Sequence, residues 1–136
     1  MKRMWIASML CCLALSGCAQ TPADESAPSS APSAQYVSIT AQEAQNLMQT
    51  QADYVLLDVR TPEEYNEAHI PGAMLLPLDE LAAQAETALP DKAQLILVYC
   101  RSGRRSKTAA ETLLSLGYTN VRDFGGILDW PYGTTS

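Results

Sequence analysis

Apolar and polar positions along this chain fall into short unbroken hydrophobic runs separated by amphipathic stretches. The strongest run, Leu95-Ile96-Leu97-Val98-Tyr99, has no polar interruption and ends on Cys100. That pattern predicts a strand buried on both faces of a parallel sheet. Tyr54 to Val59 (YVLLDV) predicts a second, central strand, with shorter ones at Tyr36 to Ile39, Ala73 to Leu76 and Tyr118 to Phe124. Thr40, with Glu43 three residues on, predicts a capped helix running through Met48, and Thr61 followed by Pro62 predicts another helix start. Leu78, Leu81, Ala82, Ala85 and Leu89 keep helical spacing across Asp79 to Ala88, with Pro90 as terminator. A fourth helix opens at Ser106, places Ala109, Ala110, Leu113 and Leu114 on one face, and stops at Gly117. Gly125-Gly126 reads as a close backbone turn, and Ile127, Leu128 and Trp130 as a final helix or turn with Trp130 in the core. This alternation predicts one α/β three-layer domain with a mostly parallel sheet, covering residues 36–136.

The preceding residues have a different pattern. Lys2 and Arg3 are followed by an apolar stretch from Met4 to Leu15 that is too short to span a bilayer as a helix. Leu15-Ser16-Gly17-Cys18 then resembles a bacterial lipobox, which predicts a signal peptide over residues 1–17, cleavage before Cys18 and lipidation of that cysteine. Residues 18–35 are rich in Ala, Pro, Ser and Thr, with Pro22, Pro28 and Pro32 and no aliphatic larger than Ala. They read as a disordered tether. The expectation is a domain anchored through acyl chains to a bacterial membrane and facing the periplasm. Ala19 after the lipidated position favours the outer membrane in a Gram-negative cell.

Cleavage would remove Cys11 and Cys12 and leave Cys100 as the free thiol, which in an oxidising compartment needs a reason to persist. The whole chain carries a net charge of −6, or −8 once Lys2 and Arg3 leave with the leader. So acidic a chain is a poor candidate for nucleic acid. With one His and one unlipidated Cys it also offers no metal-binding set. An anion is repelled at long range, but screening over about 8 Å leaves the local arginines dominant near a site.

Those arginines follow Cys100 directly, in Arg101-Ser102-Gly103-Arg104-Arg105. A short loop that feeds a helix points several backbone N–H groups inward, and the helix start adds roughly half a positive charge. A sulfur placed there is stabilised as an anion, and so as a nucleophile.

CRSGRRS after an apolar strand resembles the active-site loop of the rhodanese family. LLDVRTPEEYNEAHIPGA resembles that family's amino-terminal signature, D-x-R-x3-E-[FY]-x2-G-H-I-x-G-A, departing from it at Ala68, and GGILDW resembles its closing Gly-Gly-x3-Trp element. The resemblance runs from about Tyr36 to Trp130. It implies a five-stranded sheet with helices on both faces and a persulfide carried on Cys100. The sulfur and an anionic donor would be held by the backbone and side chains of Arg101, Ser102, Gly103, Arg104, Arg105 and Ser106. Arg60, at the end of a central strand, is expected to face the anion or stand just behind it, and Asp58 to brace the loop. His69 is expected to pin the turn before Ile70-Pro71-Gly72, since a pre-formed thiolate has little need of a base.

The implied activity is transfer of a sulfane sulfur from thiosulfate or a persulfide to cyanide or a thiol, with no cofactor. One alternative is a non-catalytic rhodanese-like binding or sensing module at the envelope, which need keep neither Cys100 nor the arginines. Another is phosphatase or arsenate reductase chemistry. The related enzymes of that kind have a longer loop with Arg six positions after the cysteine, where this chain has Ser106.

Overall fold

A computed structural model describes residues 35–136; the expected leader, the expected lipidation site Cys18 and nearly all of the expected tether lie outside the described residues. The elements are β1 (Val37–Ser38), α1 (Ala41–Thr50), β2 (Tyr54–Asp58), α2 (Pro62–Glu67), β3 (Met74–Leu75), α3 (Leu78–Ala88), β4 (Leu95–Cys100), α4 (Arg104–Ser115) and β5 (Val121–Gly126). A 3-10 turn over Ile127–Asp129 follows. The five strands form one parallel sheet in the order β1-β5-β4-β2-β3, with β4 in the middle.

Because β4 is covered on both faces, its side chains divide by parity. Leu95, Leu97 and Tyr99 enter a core with Ala44, Ile70, Phe124 and Trp130 on the side of α1. Ile96, Val98 and Cys100 enter the opposite core with Leu81, Ala85, Ala109 and Leu113 from α3 and α4. Each fully buried aliphatic side chain stabilises the fold by about 1.5–3 kcal/mol. The same alternation carries Cys100 onto the face where α4 begins.

Local sequence sets the helix starts. Thr40 and Thr61 both form complete capping boxes, each hydroxyl accepting from the amide three residues on while Glu43 or Glu64 reaches back to the cap amide. Ala68, which departs from the family signature, sits at φ −166, extended backbone that alanine adopts without strain.

The boundaries of α4 and β5 differ from the sequence expectation in ways that bear on the site and the core beside it. Helix α4 begins at Arg104, not at Ser106, because Gly103 at φ +98 makes the chain turn sharply enough to start the helix earlier. Strand β5 begins at Val121 and continues through Gly125-Gly126. Tyr118 instead plugs the α3/α4 core and donates its hydroxyl to the Leu89 carbonyl at 2.7 Å. The two glycines lie within a bulge: Val98 pairs with Asp123 but Cys100 with Gly126. Gly125, at φ +90, absorbs the extra residue and donates to the Asp123 carboxylate at 2.9 Å.

Candidate active site

The bulge and the loop after β4 are built against each other. A Cβ on Gly126 would overlap the Arg101 carbonyl, and one on Gly103 would stand 3.3 Å from Gly125 Cα. The Ser106 hydroxyl donates to the Gly103 and Gly125 carbonyls at 3.1 and 3.2 Å, and the Leu128 amide donates to the Arg101 carbonyl at 3.2 Å. The turn from Cys100 to Gly103 is thereby fixed from below.

Inside this turn the Cys100 side chain, 1% exposed, accepts a hydrogen bond from the Gly103 amide, 3.0 Å from Sγ. Helix α4 starts on Gly103 with no side-chain cap. The amides of Arg104, Arg105 and Ser106 in its first turn therefore have no intrahelical acceptor and are open to an anion. A cleft of about 480 Å³ lies over the loop, lined by Leu78, Arg101, Ser102, Arg104, Arg105 and Thr108. Arg101, Ser102 and Arg104 are exposed at this mouth.

Arg60 stands behind the site, the Ser106 hydroxyl is turned to the backbone, and Arg105 is held at the edge of the cleft by a carboxylate. Arg60 is 4% exposed and faces inward. Its Nε and Nη2 donate to both Asp58 oxygens at 2.7–3.0 Å, Nη2 also donates to the Ala68 carbonyl at 2.7 Å, and the guanidinium lies 5.7 Å from the centre of the Tyr99 ring. A fully buried carboxylate at a strand end requires a counter-charge, and Arg60 supplies it. Burial opposes the Arg60 charge, but the bonds to Asp58 outweigh it and hold the guanidinium above its ordinary value. The Ser106 hydroxyl is turned to backbone carbonyls, so only its amide is left for a ligand.

Arg105 is in the first turn of α4 and forks Glu64 of α2, both N–O distances being 2.7 Å. The hydrogen bonds from Arg105 hold the Glu64 carboxyl down at about 2; burial opposes this and the Thr61 amide reinforces it. Glu64 raises the Arg105 guanidinium in turn, with Cys100 and Asp58 adding through space.

His69 occupies the turn: Nδ1 is 2.9 Å from the Tyr65 carbonyl, its ring stacks on Tyr65 at 3.8 Å, and its backbone exchanges two hydrogen bonds with Thr135. Sequence reasoning did not single out Glu64, Leu78 or Thr108. Glu64 stands three residues after Thr61, a capping-box position, but no spacing rule links it to Arg105, 41 residues away.

A buried cysteine bonded by a helix-start amide, in a strand–loop–helix turn at the carboxyl end of a central parallel strand, defines a class of thiol proteins. Within that class, the rhodanese-like domain model matches residues 40–131, and the chain belongs to the rhodanese-like family. It is similar to thiosulfate sulfurtransferase PspE of Escherichia coli, with 45% identity over 73 residues, covering 54% of this chain and 70% of that protein. A solved structure described as a rhodanese with anions from E. coli aligns with a TM-score of 0.58 and 40% identity, over 61% of this chain and 98% of that one. The adenylyltransferase and sulfurtransferase UBA4 of Meyerozyma guilliermondii is 36% identical over 87 residues. The match covers 58% of this chain but only 20% of that larger protein.

Proposed function

We propose that this protein moves a sulfane sulfur from thiosulfate or a persulfide to cyanide or a thiol through a persulfide on Cys100. At the coarser level the chain is an enzyme of the thiosulfate sulfurtransferase type, by its family and its 45% identity to PspE. The single observation that carries the finer reading is the Cys100 sulfur, enclosed by the turn and bonded by the Gly103 amide at the uncapped start of α4.

The chemistry is a double displacement. The Cys100 thiolate attacks the outer sulfur of thiosulfate, an S–S bond forms to the cysteine, and the sulfur–sulfur bond of thiosulfate breaks as sulfite leaves with the electron pair. The persulfide anion is then stabilised by the Gly103 amide and the open amides of α4. Pre-oriented donors of this kind are worth about 2.7–4 kcal/mol each when they meet developing charge. Cyanide or a thiolate attacks the terminal sulfur, and the cysteine thiolate is the leaving group. Arg101 and Arg104 at the cleft mouth draw in the anionic donor against the net negative charge of the chain.

Ser106 at the sixth position after Cys100 argues against phosphate or arsenate chemistry, because its hydroxyl is committed to two backbone carbonyls and offers no guanidinium to a tetrahedral oxyanion. The resemblance of Leu15-Ser16-Gly17-Cys18 to a lipobox supports our reading of a lipid tether through Cys18 on the periplasmic side of a bacterial membrane. The test of sulfur transfer is mass spectrometry of the full chain after thiosulfate treatment. A stable increment of one sulfur atom (about 32 Da) on Cys100 is the expected result. No increment, with no thiocyanate formed from cyanide, would leave a binding module instead.

A further inference from the structure

We propose that Glu64 is a positioning residue for sulfur transfer, holding the Arg105 guanidinium at the mouth of the Cys100 loop in the pose that meets the anionic donor. The inference rests on the sulfur-transfer reading and deepens it. Three arginines surround the loop, but they are held differently. Among the described residues Arg101 and Arg104 take part in no ion pair, whereas Arg105 is fixed by two 2.7 Å bonds. A free Arg samples many rotamers, and ordering it for a ligand carries an entropic cost. Glu64 meets that cost before a donor arrives.

Glu64 is itself anchored. Its Oε2 accepts from the Thr61 amide at 3.1 Å within the capping box of α2, so the carboxylate is fixed to the helix start as well as to Arg105. The side chains of the pair are 24% and 32% exposed, which keeps the fork partly shielded from water. A guanidinium carries five N–H groups. Glu64 takes two of them, and three remain for a ligand. Arg105 lines the cleft over the loop together with Arg101, Ser102 and Arg104. The fork thus holds the side chain between α2 and the loop, where it borders the cleft.

The test is steady-state thiocyanate formation by the full chain, with E64Q, E64D, R105Q and the E64Q/R105Q double variant. E64Q should raise the KM for thiosulfate about five- to tenfold, while kcat and the KM for cyanide stay within about twofold. E64D, which keeps the charge with a shorter reach, should fall between E64Q and wild type. The double variant should be no worse than R105Q alone, because the carboxylate acts only through Arg105. Calorimetric binding of thiosulfate to C100S, with and without E64Q, gives the same comparison without turnover. An active wild type with an unchanged or lower thiosulfate KM in E64Q, or additive losses in the double variant, overturns the inference. An inert wild type instead overturns the sulfur-transfer reading beneath it.

Discussion

Gly126 of β5 passes so closely beneath Arg101 that a Cβ on it would overlap the Arg101 carbonyl oxygen. The atoms it would meet are backbone, not the end of a flexible side chain, so the loop itself must move. Gly126→Ala is expected to cost about 1–3 kcal/mol of stability by overpacking. Activity should fall further than stability, because the displaced segment is the one that encloses Cys100. Urea unfolding alongside thiocyanate formation checks this; an active variant of wild-type stability would show that the loop tolerates the shift.

The Ser106 hydroxyl joins the same two backbone segments from the helix side, through the carbonyls of Gly103 and Gly125. Ser106→Ala leaves the Gly125 carbonyl without that donor and loosens the turn, at a cost of about 1–2 kcal/mol. The expected outcome is a folded protein that loads sulfur on Cys100 more slowly than wild type, measured as the rate of persulfide formation by mass spectrometry. Equal loading rates would make the hydroxyl a spectator.

Much of this arrangement was legible in the sequence, because β4 is an uninterrupted apolar run and Thr40 and Thr61 are unambiguous helix starts. The parity of β4, and with it the face that Cys100 occupies, follows from strand geometry alone. What the sequence concealed depends on contacts between distant segments. The early start of α4 reflects the left-handed conformation of Gly103, which spacing does not reveal. Which of its two expected places Arg60 takes, facing the anion or just behind it, is not written in the spacing; it turns inward because Asp58 two residues earlier is fully buried and takes its charge. The Arg105–Glu64 fork joins elements whose approach is set only by the packed fold.

The Asp58–Arg60 pair is the most deeply buried ion pair described, with side chains 0% and 5% exposed. Asp58→Asn removes the counter-charge and leaves a guanidinium inside the protein, which typically costs about 3–5 kcal/mol. For a domain of this size that is a fall in Tm of well over 10 °C, taking about 4–8 °C per kcal/mol. Replacing both residues with apolar ones of similar volume should be less damaging than Asp58→Asn alone. If thermal unfolding places the single variant above the double, the pair's importance lies elsewhere than in charge compensation.

The Glu64–Arg105 fork also makes stability depend on pH, in a direction set by the carboxylate. Glu64 titrates at an ordinary value of 4.5 when unpaired and at about 2 in the fold, chiefly because Arg105 donates to it. A carboxyl with a lowered folded value stabilises the native state above the unfolded value, and that contribution is lost as pH falls from about 4.5 toward 2. Both partners are partly exposed, so solvent screening holds the effect to about 1 kcal/mol, well below what the shift alone implies. Urea midpoints of wild type and Arg105→Gln measured from pH 6 down to pH 2.5 should therefore converge as acid is added, with wild type the more stable at the upper end. Other carboxylates titrate over the same range in both proteins, so the difference between the curves isolates this pair. Curves that stay parallel would show that the fork adds nothing to the fold.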